Sequence, residues 1–301
     1  MNDWLACLRR GGSPPQRRRL RRRLLSRRDI WIGLACLLAL HHLVFSFLTQ
    51  GTAEAVNALM VWGGVLVIVA DQAPGWRPRP GPIGLAAGAA LVLAVLWRSQ
   101  QINDLDVVAT LLPLLAGLAL ALLAAPLRRL AAFGPVLLIL ALPALMRVLE
   151  ELTPIEKLSL LTARITQAVL LLCNQPAHVQ GNVVRLPEGA VQIAGPCSGS
   201  TMVTQLIMVA VIFALAFPMR RRWQNAVMLL VAPLLAVIAN AFRIAVLAAI
   251  TASSFAGKDW WFEFFHKHEG SLLFSGIGVL LFIWLYDLWM AWQLNRLGQA
   301  P

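Results

Sequence analysis

Residues 107–124 read VVATLLPLLAGLALALLA, eighteen positions without a charged side chain. As a helix this stretch is about 27 Å long, close to the ~30 Å hydrocarbon core of a bilayer. Similar runs recur on both sides of it, at 30–48, 55–70, 83–97, 133–149, 199–217, 224–249 and 271–292. The two shortest, 55–70 and 83–97, need some loop residues to reach across. Pro113, Pro143 and Pro233 fall inside runs and are expected to kink them. Of the 301 residues, 59% are hydrophobic and 13% charged, against about 25% charged in a soluble domain. The expected fold is an all-α polytopic membrane protein of about eight spans, with no soluble domain of any size.

A net charge of +12 suggests nucleic acid as a partner, but the placement of the charge argues otherwise. Ten arginines stand in the first 28 residues, so 1–29 reads as a basic cytoplasmic tail resting on anionic headgroups. The first apolar run is nearly a full span with no small-residue cleavage site after it, so it reads as a retained span rather than a signal peptide. Arg77 and Arg79, Arg128 and Arg129, Arg220 to Arg222, and Arg296 all fall on the tail's side if each run crosses once. The opposite loops, 49–54, 98–106 and 150–156, are acidic or poor in basic residues. This asymmetry predicts cytoplasmic N- and C-termini, and the bilayer, not nucleic acid, is the expected partner. Residues 30–301 read as a single transmembrane domain.

Between the fifth and sixth runs the pattern changes. Residues 155–174 look helical, with Lys157, Ser159, Thr162, Arg164 and Gln167 on a polar side. A full crossing there would break the parity of the basic loops, so an interfacial or partly inserted helix is expected. Residues 177–194 alternate apolar and polar positions around a Pro187-Glu188-Gly189 turn signal. They read as a small β-hairpin on the outer face, leading into Gly195-Pro196-Cys197-Ser198-Gly199.

Counting crossings brings three distant residues to one depth. Cys197 precedes a span that runs inward, Arg243 lies near the end of one that runs outward, and His266 precedes the next inward span. All three are expected at the outer rim. There are four cysteines, and no CxxC spacing or Cys/His cluster suits a metal; no cofactor is implied. Cys7 lies in the tail, and Cys36 and Cys173 read as small hydrophobes within apolar runs. Cys197 differs because it stands at a helix start, where the dipole and unpaired N–H groups favour a thiolate. Ser198 reads as the helix N-cap. The plain alternative is a buried cysteine in a tight turn. Asn240 and Arg243 share a helix face, and the guanidinium suits either an oxyanion or a substrate carboxylate. A histidine beside a thiol can take its proton and return it to a leaving amine.

The boxes Pro196-Cys197-Ser198-Gly199, Asn240-Ala241-Phe242-Arg243-Ile244 and His266-x-x-x-Gly270, in this order, resemble the three signatures of the exosortase/archaeosortase family. The resemblance covers about 107–292. The stretch from Arg147 to Arg164 and the Ala194-Gly195-Pro196 lead-in are similar to cyanobacterial members, the cyanoexosortases. The resemblance implies a membrane cysteine transpeptidase or protease with its catalytic part at about 133–292. It would cleave C-terminal sorting tails of exported proteins outside the inner membrane, through a thioester on Cys197. Such tails carry a short motif (often Pro-Glu-Pro), a span and a basic end. By motif Cys197 is the nucleophile, Arg243 the oxyanion or substrate-binding residue and His266 the acid/base, with Asn240 orienting Arg243. His268 lies two residues on and competes for the base role; the spacing to Gly270 favours His266. Two rivals stand beside this. One is a transporter subunit or exopolysaccharide assembly factor holding an anionic ligand on Arg243 and the outer histidines, and the other is an intramembrane serine protease using Ser198.

Overall fold

The computed structural model of the protein describes residues 26–72, 78–101 and 107–296. Ten α-helices are described: α1 (Arg27–Gln50), α2 (Thr52–Gln72), α3 (Pro82–Ser99), α4 (Val107–Ala124), α5 (Gly134–Leu152), α6 (Ile155–Leu172), α7 (Ser200–Ala216), α8 (Arg222–Thr251), α9 (Lys258–His266) and α10 (His268–Arg296). Three short strands, β1 (His178–Gln180), β2 (Val183–Leu186) and β3 (Gly189–Gln192), lie between α6 and α7. Seven helices are long and apolar enough to cross a membrane: α1 to α5, α8 and α10. The eighth expected span, α7, is apolar but has 17 residues. The chain is an all-α polytopic membrane protein. Arg27 to Asp29, assigned to the tail from the sequence, already form the first turn of α1, where Ser26 and Asp29 close a capping box. Most of the tail, together with Arg77, lies outside the described residues.

Polar groups within apolar spans need partners inside the bundle. Trp31 Nε1 donates to the Leu120 carbonyl at 2.9 Å, Trp62 Nε1 to His42 Nδ1 at 3.2 Å, and His41 Nε2 lies 2.8 Å from Ser99 Oγ. His41 and His42 thus serve as ties among α1, α2 and α3. The Arg79 N–H bonds the Ala124 carbonyl at 2.9 Å, joining the α2–α3 loop to the end of α4 near Arg128 and Arg129. Tyr286 Oη donates to the Phe217 carbonyl at 2.7 Å, which sets a late turn of α10 beside the loop carrying Arg220 to Arg222.

The C-terminal half is organised on α8. Its 30 residues span about 45 Å at 1.5 Å per residue, roughly 15 Å more than a hydrocarbon core. The C-terminal end of α8 carries the sheet: Val184, Leu186 and Ile193 pack in one buried cluster with Ile244, Leu247 and Ala248 of α8 and with Ala163 and Leu170 of α6. The expected two-stranded hairpin is a three-stranded antiparallel meander, ordered β1-β2-β3. Gln180 pairs with Val183 around Gly181-Asn182, and Leu186 pairs with Gly189 around Pro187-Glu188. The first of these turns was the unread signal, because β1 is only three residues long and shows too little alternation.

Helix α6 also departs from expectation. Ser159 and Thr162, read as part of its polar side, are buried together with Ala163, Thr166 and Leu170. Small hydroxyl residues let α6 approach closely, and they bond to backbone: Thr166 Oγ1 donates to the Ala241 carbonyl of α8 at 3.3 Å. Leu160 and Leu161 are exposed beside Arg164. Cys173 does not sit within an apolar run but ends α6 as its exposed C-cap residue.

The path of α8 gives a test of topology. With the four native cysteines replaced by serine, E188C and R221C should label with a membrane-impermeant maleimide from opposite faces of sealed vesicles. Labelling of both from the same face would rule out α8 as a crossing.

Candidate active site

The nucleophile candidate sits in a bent segment rather than on a regular helix. Gly195–Ser198 form a 3-10 turn, closed by the Cys197 N–H on the Ala194 carbonyl at 2.8 Å. Gly199 then takes φ +94°, and α7 starts at Ser200. Ser198 is therefore not the N-cap, contrary to the sequence expectation. Gly199 holds that place, and the buried Ser198 hydroxyl instead accepts the Ser200 N–H at 3.3 Å. The reason is steric as well as conformational: a Cβ on Gly199 would stand 2.7 Å from Asn240 Nδ2. Only glycine allows both the left-handed turn and this approach.

Three helices hold the bent segment. Asn240 of α8, fully buried, donates Nδ2 to the Cys197 carbonyl at 3.0 Å. Thr162 of α6 donates Oγ1 to the Ser198 carbonyl at 3.0 Å. Glu150 of α5 accepts Ser200 Oγ at 3.1 Å and Thr201 Oγ1 at 3.0 Å. Thr162, Thr166 and Glu150 were not expected at the site from the sequence. Their contacts run between residues 36 to 75 positions apart, and no local pattern signals them.

The partners of Cys197 come from α8 and α9. Its sulfur, on a residue only 8% exposed, lies 4.0 Å from His266 Nδ1. That is long for a hydrogen bond, as substrate-free catalytic pairs often are. His266 is exposed, and its ring stacks on Phe262 one turn earlier, with centroids 5.4 Å apart and planes at 11°. Arg243 is 3% exposed. It donates Nε to the Phe265 carbonyl at 3.0 Å, Nη2 to the His266 carbonyl at 2.9 Å and Nη1 to Asn240 Oδ1 at 3.4 Å. Asn240 links the guanidinium to the Cys197 backbone carbonyl. The structure thus brings Cys197, Arg243 and His266 together, with Asn240 bridging the first two.

His266, expected just before the last span, closes the nine-residue helix α9, which the sequence reading did not include. Helix α10 starts at once, and its first turn tucks under α9 at Gly270, where a Cβ would collide with the Phe265 Cα. This close approach is a physical reason for glycine in the third box. The side chain of His268 lies outside the described residues.

A family model described as transmembrane exosortase matches residues 55–283. The chain belongs to the transmembrane exosortase family. The match reaches back to α2, well before residue 107, where the sequence resemblance began. No curated protein and no solved structure matches the chain. The exosortases are a family of membrane proteases and transpeptidases, and all three boxes of this exosortase lie inside the matched residues.

Two substitutions test how the site is held. Asn240→Ala leaves the buried Cys197 carbonyl without its donor and should cost about 1–3 kcal/mol. Gly199→Ala should cost at least about 1 kcal/mol from the left-handed backbone alone. Each should lower the melting temperature of the purified protein and slow Cys197 alkylation. Wild-type values for both variants would mean that the bent segment is held by something else.

Proposed function

We propose that this exosortase is a cysteine transpeptidase or protease that cleaves C-terminal sorting tails of exported proteins at the outer face of the inner membrane. The observation that carries this reading is the buried thiol 4.0 Å from an imidazole, with a guanidinium beside it. Each supplies a different part of acyl transfer.

In this reading His266 Nδ1 takes the Cys197 proton, and the thiolate attacks the scissile carbonyl. The carbonyl oxygen becomes an oxyanion, whose charge the guanidinium of Arg243 would offset. The tetrahedral intermediate collapses: the C–N bond breaks, and the leaving amine takes the proton from His266. A thioester on Cys197 remains, and the tail departs. An acceptor amine or water then attacks the thioester, gives its proton to His266, and the thiolate leaves and recovers that proton. Cleavage outside the bilayer follows from the positive-inside orientation of the arginine loops, with both termini cytoplasmic. A substrate whose own span anchors it in the bilayer would bring its motif to the same rim. The anionic-ligand alternative leaves the Cys197–His266 pair without a role. Ser198 is a poor nucleophile candidate, being fully buried.

Substitution in a host that makes tailed substrates tests the assignment. Cys197→Ala should abolish trimming and the thioester, and normal trimming would overturn the nucleophile. His266→Ala should slow trimming by roughly 10²–10⁴-fold, with His268→Ala milder. Reversed severities would move the base to His268.

A further inference from the structure

We propose that Arg243 is a positioning residue for His266: through its bonds to the last two carbonyls of α9 it sets the imidazole against the Cys197 thiol, in addition to lending charge. This rests on the acyl-transfer reading for its purpose, but its geometry stands apart from it.

The final four carbonyls of any α-helix lack partners within the helix. In a helix of nine residues they are nearly half of the total, and so short a helix is marginal without tertiary support. At the end of α9, the Lys267 N–H reaches back to the Glu263 carbonyl at 2.9 Å. The Phe265 and His266 carbonyls, the two nearest the imidazole, are taken by Arg243 Nε and Nη2 at 3.0 and 2.9 Å. A guanidinium presents these N–H groups in a rigid plane. Two bonds from one plane to two successive carbonyls fix the direction in which the helix end points, as well as its position. The third contact, Nη1 to Asn240 Oδ1 at 3.4 Å, braces the plane from behind.

Asn240 is also the residue that holds the Cys197 carbonyl, at 3.0 Å. One turn of α8 therefore grips both partners: its Asn240 fixes the nucleophile's backbone, and its Arg243 fixes the backbone of the base. His266 itself is exposed and rests on Phe262 of its own helix; Phe262 and Phe265 pack α9 against the buried cluster that includes Cys197, and the two bonds from Arg243 fix the direction of the helix end within that packing. Around His266, the charged side chains with described partners are Arg243 itself and the Glu263–Lys267 pair, which is solvent-exposed on α9 and its cap.

A lysine at 243 separates the two roles. It keeps the positive charge but offers one point donor in place of the planar fork. The readout is alkylation of Cys197 by iodoacetamide in the purified full-length protein across pH, which needs neither substrate nor turnover. If Arg243 positions His266, R243K should slow alkylation at neutral pH at least tenfold and give the pH profile of H266A. The double variant R243K/H266A should then be no slower than H266A alone. Added guanidinium chloride at millimolar concentration should restore part of the rate in R243A, but not in R243A/H266A. A wild-type pH profile in R243K, or additive losses in the double variant, would overturn the proposal and leave Arg243 with a charge role only. Should R243K not fold, solid-state NMR of the wild-type protein in bilayers decides instead. Dipolar contacts from the guanidinium nitrogens of Arg243 to the Phe265 and His266 carbonyl carbons support the clamp, and their absence overturns it. If tails are still trimmed by C197A while alkylation follows the coupled pattern, the acyl-transfer reading falls and the clamp stands.

Discussion

The site depends on two polar side chains buried one turn apart on α8. Asn240 and Arg243 have almost no exposed surface, in a helix whose other buried positions here are alanine, isoleucine and leucine. Polar groups in that setting are costly unless they are bonded. Here their partners are backbone carbonyls of the two segments that carry the thiol and the imidazole. Satisfying Asn240 and Arg243 therefore requires those segments to be in place. The placement of Cys197 is thus tied to the burial requirement of α8.

The same constraint explains the local sequence. Gly199 is needed because the nucleophile segment must come within van der Waals reach of Asn240 while turning left-handed. Gly270 is needed because α10 must begin directly under the helix end that Arg243 holds. Thr162 and Thr166 let α6 close against α8 and the bent segment with hydroxyls small enough to pack. The sheet packs on the C-terminal end of α8 and shares a buried cluster with Cys197. Each element around the thiol is thus fitted to α8 rather than to its sequence neighbours.

This is also why some of the architecture was legible in the sequence and some was not. Apolar runs mark spans because the bilayer imposes length and composition on each run separately, and 107–124 matches its helix end to end. Counting crossings pointed to Cys197, Arg243 and His266 as neighbours, and the structure places them close together. Family boxes pointed to the same residues. Helix α9 was not readable, because its C-terminal carbonyls are satisfied by a residue 22 and 23 positions away. Ser198 was misassigned because serine is a favoured N-cap by local preference, while a contact 41 positions distant, between Gly199 and Asn240, decided where α7 begins. On α6, Thr162, read on the polar side, turned inward because its hydroxyl found a backbone partner on a neighbouring element.

The most direct measurement is a cross-link between the two segments that α8 holds together. In a background with Cys7, Cys36 and Cys173 replaced by serine, H266C should form a disulfide with Cys197 under mild oxidation in native membranes. Peptide mapping by mass spectrometry without reduction would detect it, and N240A with R243A should diminish it. No disulfide at that pair, with both thiols still alkylatable from the same face, would contradict the account.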